Sequence, residues 1–168
     1  MEVFEAIEKR HSARRFADHR VEPEKLRRLF EAARLAPSAK NLQEWRFVVV
    51  QDKETRLRLA EAAFQRFVGD APVILVCCAE SDGYVMRCGL PSYPIDVAIA
   101  IDHISLAAVA LDLGTCWIGK FDPDRVREIL GIPERIHIVE LLLVGYPADQ
   151  PRPKNRLAVE EFVKFDHW

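Results

Sequence analysis

The stretch from Ile95 to Leu113 restricts the fold of this chain more than any other part of its sequence. Its apolar residues lie on nearly every side of a helix, so they do not form a single core-facing stripe. A helix of this kind must be buried on several sides. Asp102 and His103 interrupt the apolar run, which argues against a membrane span and makes His103 a core or interface histidine. We therefore expect this helix at the centre of the fold, and a subunit interface would account for its additional apolar face.

The segments around this helix predict further strands and helices. Two uninterrupted apolar segments, "RFVVVQD" and "DAPVILVCCA", are rich in β-branched residues and predict buried strands. "GTCWIG" and "IHIVELLLVGYP" predict two more. Helices are predicted near the N-terminus, from Pro23, over residues 54–67 and from Pro123, since proline suits the first position of a helix. With 168 residues and neither a repeat nor a flexible linker, the chain is predicted to form one α+β domain over residues 1–168.

Charge and cysteine content exclude several classes of protein. The net charge is -2, which gives no reason to expect nucleic-acid binding. The N-terminal segment "MEVFEAIEKR" lacks the apolar core of a signal peptide, so we expect neither export nor a membrane partner. The four cysteines have no CxxC or Cys/His spacing, which argues against a metal site and a redox motif. Buried free thiols in a cytoplasmic protein are the expectation.

Two short basic clusters point to a bound anion. Arg10, Ser12 and Arg14 are spaced by two, so in an extended segment their side chains point to one side. Two guanidiniums with a hydroxyl between them suit a phosphate, because each guanidinium can bind two oxygens. Lys154 and Arg156 repeat this spacing near the C-terminus. A single cluster is usually a solvated surface, whereas two at the edges of structural elements favour a bound dianion.

Two further segments could meet a ligand. Ser38, Asn41 and Gln43 place hydroxyl and amide groups in a loop directly before a strand, although an ordinary helix end explains them equally well. Gly114 and Gly119 in "LGTCWIG" permit the close approach of a planar ligand to the backbone. No arrangement of side chains indicates a catalytic triad or an acid–base pair. The residues therefore suit an enzyme whose chemistry belongs to its cofactor.

Five segments occur in the order found in one known family: "RHSARRF", "APSAKNLQEW", "DAPVILVCCA", "LGTCWIG" and "GYP…PRPKNR…VEEFVKF". Together they cover nearly the whole chain, which resembles the nitroreductase family of FMN-dependent oxidoreductases. The resemblance implies a three-layer α-β-α fold with a central mixed, mostly antiparallel sheet. It also implies an intertwined homodimer with two FMN molecules at its interface.

The resemblance implies thirteen cofactor-binding residues in two groups. Those at the FMN phosphate, with His11 acting through its backbone, are Arg10, His11, Ser12, Arg14, Lys154 and Arg156. Those at the flavin rings are Ser38, Ala39 and Asn41, largely from the partner subunit, and Gln65, Trp117, Ile118 and Gly119.

The same resemblance implies a function with no catalytic side chain. NADH or NADPH would give a hydride to the flavin, and an electron-poor acceptor such as a nitroaromatic, a quinone or an enone would take it. A flavin-binding protein without turnover, for storage or sensing, is the alternative, and a structural domain with solvated basic patches is a third reading. The chain departs from the family in having Glu44 where proline is usual, and in a short segment between Ala79 and Ile95 that leaves no room for a substrate-gripping lid.

Overall fold

Six α-helices and one four-stranded sheet make up the computed structural model, which describes residues 1–168. The helices are α1 (Val3–Lys9), α2 (Pro23–Arg34), α3 (Lys53–Ala62), α4 (Tyr93–Ala110), α5 (Pro123–Leu130) and α6 (Val159–Phe162). The strands are β1 (Trp45–Val50), β2 (Val73–Glu80), β3 (Gly114–Ile118) and β4 (Ile136–Gly145). Short 3₁₀ turns cover Ala39–Asn41 and Arg66–Asp70. Helices α2 and α5 begin at the predicted prolines.

The strands pair in the order β1-β2-β4-β3, and every neighbouring pair is antiparallel. Because side chains alternate across a strand, β2 and β4 supply residues to two separate cores. Val73, Leu75 and Leu142 face a core closed by α2 and α4. Ile74 and Leu143 face a second core closed by α3 and α5. Burial of each such side chain contributes about 1.5–3 kcal/mol. The sheet thus lies between two helical layers, which confirms the predicted three-layer α+β fold.

Helix α4 is the central helix predicted from its apolar circumference. Val97, Ile101 and Ile104 are fully buried between α2 and the sheet. By length and composition α4 would also fit a membrane span, yet the helix face with Val97, Ile101 and Ile104 forms part of the core. His103 is half-buried, with Nδ1 3.3 Å from a carbonyl oxygen of α2. The remaining apolar surface of α4 is incompletely covered, since Ile95 is 43% exposed.

The first basic segment follows α1 and runs beside the edge strand β3. Ser12 forms a parallel bridge with Thr115, and the Ala13 N–H donates to the Thr115 carbonyl oxygen at 2.9 Å. This isolated bridge is parallel and lies outside the four strands, which pair only antiparallel with one another. The close approach requires glycine at position 114, because a Cβ there would lie 2.8 Å from the Ala13 Cβ. The prediction that Gly114 admits a planar ligand is therefore wrong, since Ala13 fills that space.

Helix α3 is shorter than the predicted range of 54–67. It ends at Ala62, and Phe64 has a φ of 55°, a left-handed conformation that an α-helix does not contain. The 3₁₀ turn Arg66–Asp70 then leads into β2. The end of α3 therefore depends on the conformation of one residue and not on a change in apolar periodicity.

The prediction of buried free cysteines is correct for three of the four. All four thiols are free, but Cys88 is exposed because it lies in the turn between β2 and α4. Cys77, Cys78 and Cys116 lie in the sheet and are buried. Burial raises the pKa of the Cys78 thiol to about 11. The thiolate is the reactive form, so this cysteine is a structural residue.

Candidate functional site

One cleft contains both predicted basic clusters. It has a volume of about 190 Å³ and no hydrophobic residue in its wall. Its lining residues are Arg10, His11, Ser12, Arg14, Asp149, Gln150, Arg152, Pro153, Lys154 and Arg156. The clusters meet because the chain after β4 returns along the N-terminal segment. The Ala17 N–H donates to the Tyr146 carbonyl oxygen, and the Ala148 N–H donates to the Arg15 carbonyl oxygen, both at 2.9 Å.

The positive charge of this cleft is not neutralised within the chain. Five of its side chains are arginine or lysine, against one carboxylate, that of Asp149. None of its four arginines forms an ion pair. Burial lowers the pKa of the Lys154 ammonium, and the positive charges of Arg10 and Arg156 lower it further. Like charges held close together repel one another, so the cleft favours an anion that relieves the repulsion.

Lys154 also has a structural contact that its spacing did not indicate. Its ammonium donates to the carbonyl oxygens of Ile7, at 3.1 Å, and of Glu8, in the last turn of α1. Carbonyls at the end of a helix lack internal partners and carry partial negative charge, so a lysine there is stabilising. Lys154 therefore fastens the C-terminal segment to α1 and keeps Arg156 at the cleft.

Two polar atoms in the wall of the cleft are buried without a hydrogen-bond partner. His11 Nε2 lies 3.8 Å from Asp149 Oδ1, and neither atom forms a hydrogen bond within the chain. The second carboxylate oxygen of Asp149 accepts a hydrogen bond from the Arg14 backbone N–H at 2.9 Å. Unpaired buried polar atoms are uncommon in proteins and call for an additional partner. Their position supports a ligand at this cleft.

The predicted ring-binding residues of β3 continue the same edge of the sheet. Trp117 is 36% exposed, and its Nε1–H donates to Ser105 Oγ of α4 at 3.0 Å. Ile118 is buried in the core beneath α5, and the exposed Gly119 follows it. A Cβ on Gly119 would meet no backbone, only the carboxyl oxygens of Glu140 at 3.6 Å. The end of β3 therefore offers accessible backbone, and the same strand pairs with the first basic segment through Thr115.

The loop between α2 and β1 contains an unusual run of backbone conformations. Lys40, Asn41 and Gln43 have φ values of 50°, 57° and 51°, in the left-handed region that residues other than glycine rarely adopt. Ser38 Oγ accepts a hydrogen bond from the Gln43 N–H at 3.0 Å and closes the loop. Strained conformations persist where the surroundings enforce them, and they are concentrated at functional sites. The loop geometry therefore favours a binding loop over an ordinary helix end.

Asp96, in the first turn of α4, anchors this loop. Both of its carboxylate oxygens accept a hydrogen bond from the Ala39 N–H, at 3.1 and 3.2 Å. Burial raises the pKa of Asp96, the Ala39 N–H lowers it, and the nearby Glu44 carboxylate raises it. Glu44 is itself buried and accepts a hydrogen bond from Ser92 Oγ at 3.4 Å. The residue at which the chain departs from the family pattern is therefore part of the loop's support.

Replacing Asp96 with alanine should destabilise the protein by about 1–3 kcal/mol, because the Ala39 N–H loses its partner. Asp102→Ala is the matched control, since Asp102 is an exposed carboxylate on the same helix. It should change the free energy of unfolding by less than about 0.5 kcal/mol. Urea denaturation of both variants measures the difference. Equal values for the two would show that the loop does not depend on Asp96.

The structure brings only part of the predicted site together within one chain. Six predicted residues line the basic cleft, and Trp117, Ile118 and Gly119 follow directly along β3. Ser38, Ala39 and Asn41 do not line this cleft. Gln65 lies at a separate hollow of about 580 Å³, formed with residues of α3 and the Arg66–Asp70 turn. The cleft and the β3 end are therefore the part of the site that a single chain contains.

Four residues of the cleft were not predicted, and two of them, Arg152 and Asp149, are charged. Arg152 lies two positions before Lys154, so it continues the alternate spacing of cations, and that signal is present in the sequence. Asp149 has no such signal, because a carboxylate runs against the charge pattern of the cleft. Its contact with Arg14 joins residues from opposite ends of the chain, and only the fold shows it.

Known proteins share both the sequence pattern and this fold. The profile of the nitroreductase family matches residues 7–68 and 63–146. The chain belongs to the nitroreductase family. It is 36% identical over 187 residues to an NADH dehydrogenase of Thermus thermophilus, an alignment covering 92% of this chain and 91% of the relative. It is 32% identical over 177 residues to an FMN reductase (NAD(P)H) of Bacillus subtilis, covering 95% of this chain and 71% of the relative.

A solved structure of the same family has the same fold. The FMN-dependent nitroreductase of Clostridium difficile R20291 superposes with a TM-score of 0.86 at 30% sequence identity, over 97% of this chain and 98% of that chain. Nitroreductases, NADH dehydrogenases and FMN reductases are all oxidoreductases. This nitroreductase-family protein is therefore an oxidoreductase.

Proposed function

We propose that this protein is an FMN-dependent oxidoreductase that takes hydride from NADH or NADPH and passes it, through the flavin, to an electron-poor acceptor. Nitroaromatics, quinones and enones are the acceptor classes. The observation that carries the proposal is the unneutralised basic cleft beside the accessible end of β3. The names of two similar proteins support it, since one is an FMN reductase and the other an FMN-dependent nitroreductase.

The residues of the cleft fit the phosphate of FMN. A phosphate monoester carries close to two negative charges at neutral pH and has strong acceptor oxygens. Arg10 and Arg14 provide guanidiniums without ion-pair partners, Ser12 provides a hydroxyl, and His11 Nε2 is an unpaired buried atom. The volume of about 190 Å³ is below the range of about 300–1,000 Å³ usual for a whole ligand. The cleft therefore suits the phosphate, and the rings of the cofactor belong outside it.

FMN, when bound, supplies the hydride chemistry itself. The task of this chain is to bind and orient. The basic cleft holds the phosphate end, and the Trp117–Gly119 backbone is positioned to orient the ring system on the same edge of the sheet. Holding two reactants in a fixed arrangement accounts for a large part of the rate enhancement in such enzymes. No side chain in this region needs to act as a general acid or base.

We also propose a homodimer with the flavin at its interface. Ser38, Ala39 and Asn41 lie on an anchored loop that does not reach the cleft of its own chain, so a partner's site is where they would act. Exposed apolar side chains support a partner, because Phe4 on α1 is 76% exposed and Phe165 in the tail is 83% exposed. Large apolar groups left exposed mark an interaction surface.

Anaerobic mixing of the FMN-loaded protein with NADH, and separately with NADPH, tests the proposed function. We expect the yellow flavin colour to bleach with at least one nicotinamide and to return when a nitroaromatic or a quinone is added. The faster of the two bleaching reactions identifies the hydride donor. Colour that persists with both would indicate the alternative function, flavin storage or sensing. A protein that stays colourless and binds no FMN on titration would contradict the cofactor.

A further inference from the structure

Glu140, on β4, is a half-buried residue to which the proposed function assigns no task. Its Oε1 atom is buried and has no hydrogen-bond partner. Burial raises the pKa of Glu140, and the nearby backbone N–H of Ile118 lowers it in part. A buried polar group without a partner is costly to a fold. Its presence in the middle of a sheet therefore requires an explanation.

The sheet has a bulge next to this residue. Between Glu140 and Ile138, strand β4 has one residue more than the facing strand β2, so Val139 is left unpaired. β-Bulges re-aim side chains and are over-represented beside active sites. Glu140 continues the alternate series of Leu142 and Val144, which face α4. This alternation places the carboxyl on the α4 face of the sheet, and the bulge lies directly beside it.

The carboxyl lies against the open end of β3. A Cβ on Gly119 would be 3.6 Å from both carboxyl oxygens of Glu140, so the carboxyl lies directly against the glycine at the strand end. Trp117 projects to the same face two residues earlier, and its indole is held by Ser105. The carboxyl therefore stands beside the strand end along which the proposed function places the flavin rings.

Glu140 forms no ion pair within the chain. The neighbouring strands contribute the thiols of Cys77 and Cys116, and burial raises the pKa of both, which keeps them neutral. Helix α4 has four ionisable residues. Asp96 is bound to the loop, Asp102 is exposed and His103 is turned towards α2. The ring of Tyr93 stacks on that of His137 of β4. An uncharged carboxyl can donate a hydrogen bond, whereas an ionised one only accepts.

We propose that Glu140 is a positioning residue whose carboxyl lies beside the flavin ring system, where its hydrogen bonding and charge tune the reduction potential. The inference rests on the proposed function. Ionisation of the carboxyl would replace a donor with a negative charge, which opposes the gain of electrons by a neighbouring group. The reduction potential of bound FMN should therefore fall more steeply with pH in the wild type than in a variant whose residue 140 cannot ionise.

Spectroelectrochemical titration of the FMN-loaded protein, repeated from acidic to alkaline pH, tests the proposal. Glu140→Gln keeps a neutral donor, so we expect it to match the wild-type potential at acidic pH and to fall less steeply as the pH rises. Glu140→Ala should have a lower potential than the wild type even at acidic pH. Glu134→Gln removes an exposed carboxylate just before β4 and is the matched control, which should follow the wild type throughout.

Thermal unfolding of the same samples gives a second readout. Because the pKa of Glu140 is raised in the folded state, its ionisation opposes folding. The wild type should therefore lose Tm relative to Glu140→Gln as the pH rises from the ordinary glutamate pKa of about 4.3 through the raised value. Identical pH profiles of the potential for all variants would overturn the role of Glu140, while bleaching by NADH or NADPH would still uphold the function. A wild type that binds no FMN would overturn both.

Discussion

Alanine in place of Arg10 or Arg14 is expected to weaken FMN binding by about 10- to 100-fold and to leave riboflavin binding nearly unchanged. Each substitution removes a charge-assisted hydrogen bond to the phosphate, worth about 1.5–3 kcal/mol. Riboflavin has no phosphate, so it makes no use of these guanidiniums. Fluorescence titration of the flavin-free protein with each flavin measures both dissociation constants.

Arg15→Ala is the matched control for these two variants. Arg15 is adjacent in sequence and exposed, but it does not line the cleft. Its removal should change FMN affinity by less than about twofold, as is usual for a surface substitution. If Arg10→Ala and Arg14→Ala weakened FMN and riboflavin binding equally, the two arginines would support the fold or the rings and not the phosphate.

Elements with a strong local signal were predictable from the sequence. Pro23 and Pro123 mark helix starts because their fixed φ and missing N–H suit the first turn. The runs of β-branched residues in β1 and β2 form strands because both faces of the sheet are covered. The end of α3 was not predictable, since the left-handed conformation of Phe64 is rare for an aromatic residue and no glycine marks it.

The joining of the two basic clusters lies beyond what spacing alone can predict. The alternation of Arg10, Ser12 and Arg14 correctly predicts that they share one cleft. That Lys154 also meets this cleft depends on pairing between distant segments, which the small size of Gly114 permits. Such long-range contacts leave no local periodicity. The resemblance to the nitroreductase family supplied this link. Members of one family share a fold, so motifs that occur in the same order are expected to meet in the same way.

The loop before β1 shows how a departure from a family pattern can agree with the structure. The polar residues of this loop supported a binding loop and a helix end equally, because amino-acid composition does not determine backbone φ values. Gln43 has a φ of 51°, a conformation that a following proline disfavours, and Glu44 follows it here in place of proline. The supporting contact to Asp96 comes from a helix far along the chain, so the sequence holds no local trace of it.

Removal of the residues after Leu157 is expected to convert the proposed dimer into a monomer that no longer retains FMN. The deleted tail includes Phe162 and Phe165, which are 63% and 83% exposed in the single chain and have no core of their own. A second subunit would bury them, together with the uncovered apolar surface of α4. Light scattering gives the mass of each form, and the flavin absorption of the purified protein gives the bound FMN.

The truncation removes the proposed contact with the partner but keeps the phosphate site, because Lys154 and Arg156 remain in the shortened chain. A loss of FMN would therefore be due to the loss of the partner. The double variant Phe162→Ser, Phe165→Ser should reproduce its effect, whereas the control Glu160→Ser, Lys164→Ser should stay dimeric and yellow. A full-length protein that is monomeric and keeps its FMN would rule out the proposed dimer. A colourless monomer that retains the complete basic cleft would mean that the cleft alone does not hold the cofactor. The partner would then supply the missing contacts, as we propose for Ser38, Ala39 and Asn41, which do not line the cleft of their own chain.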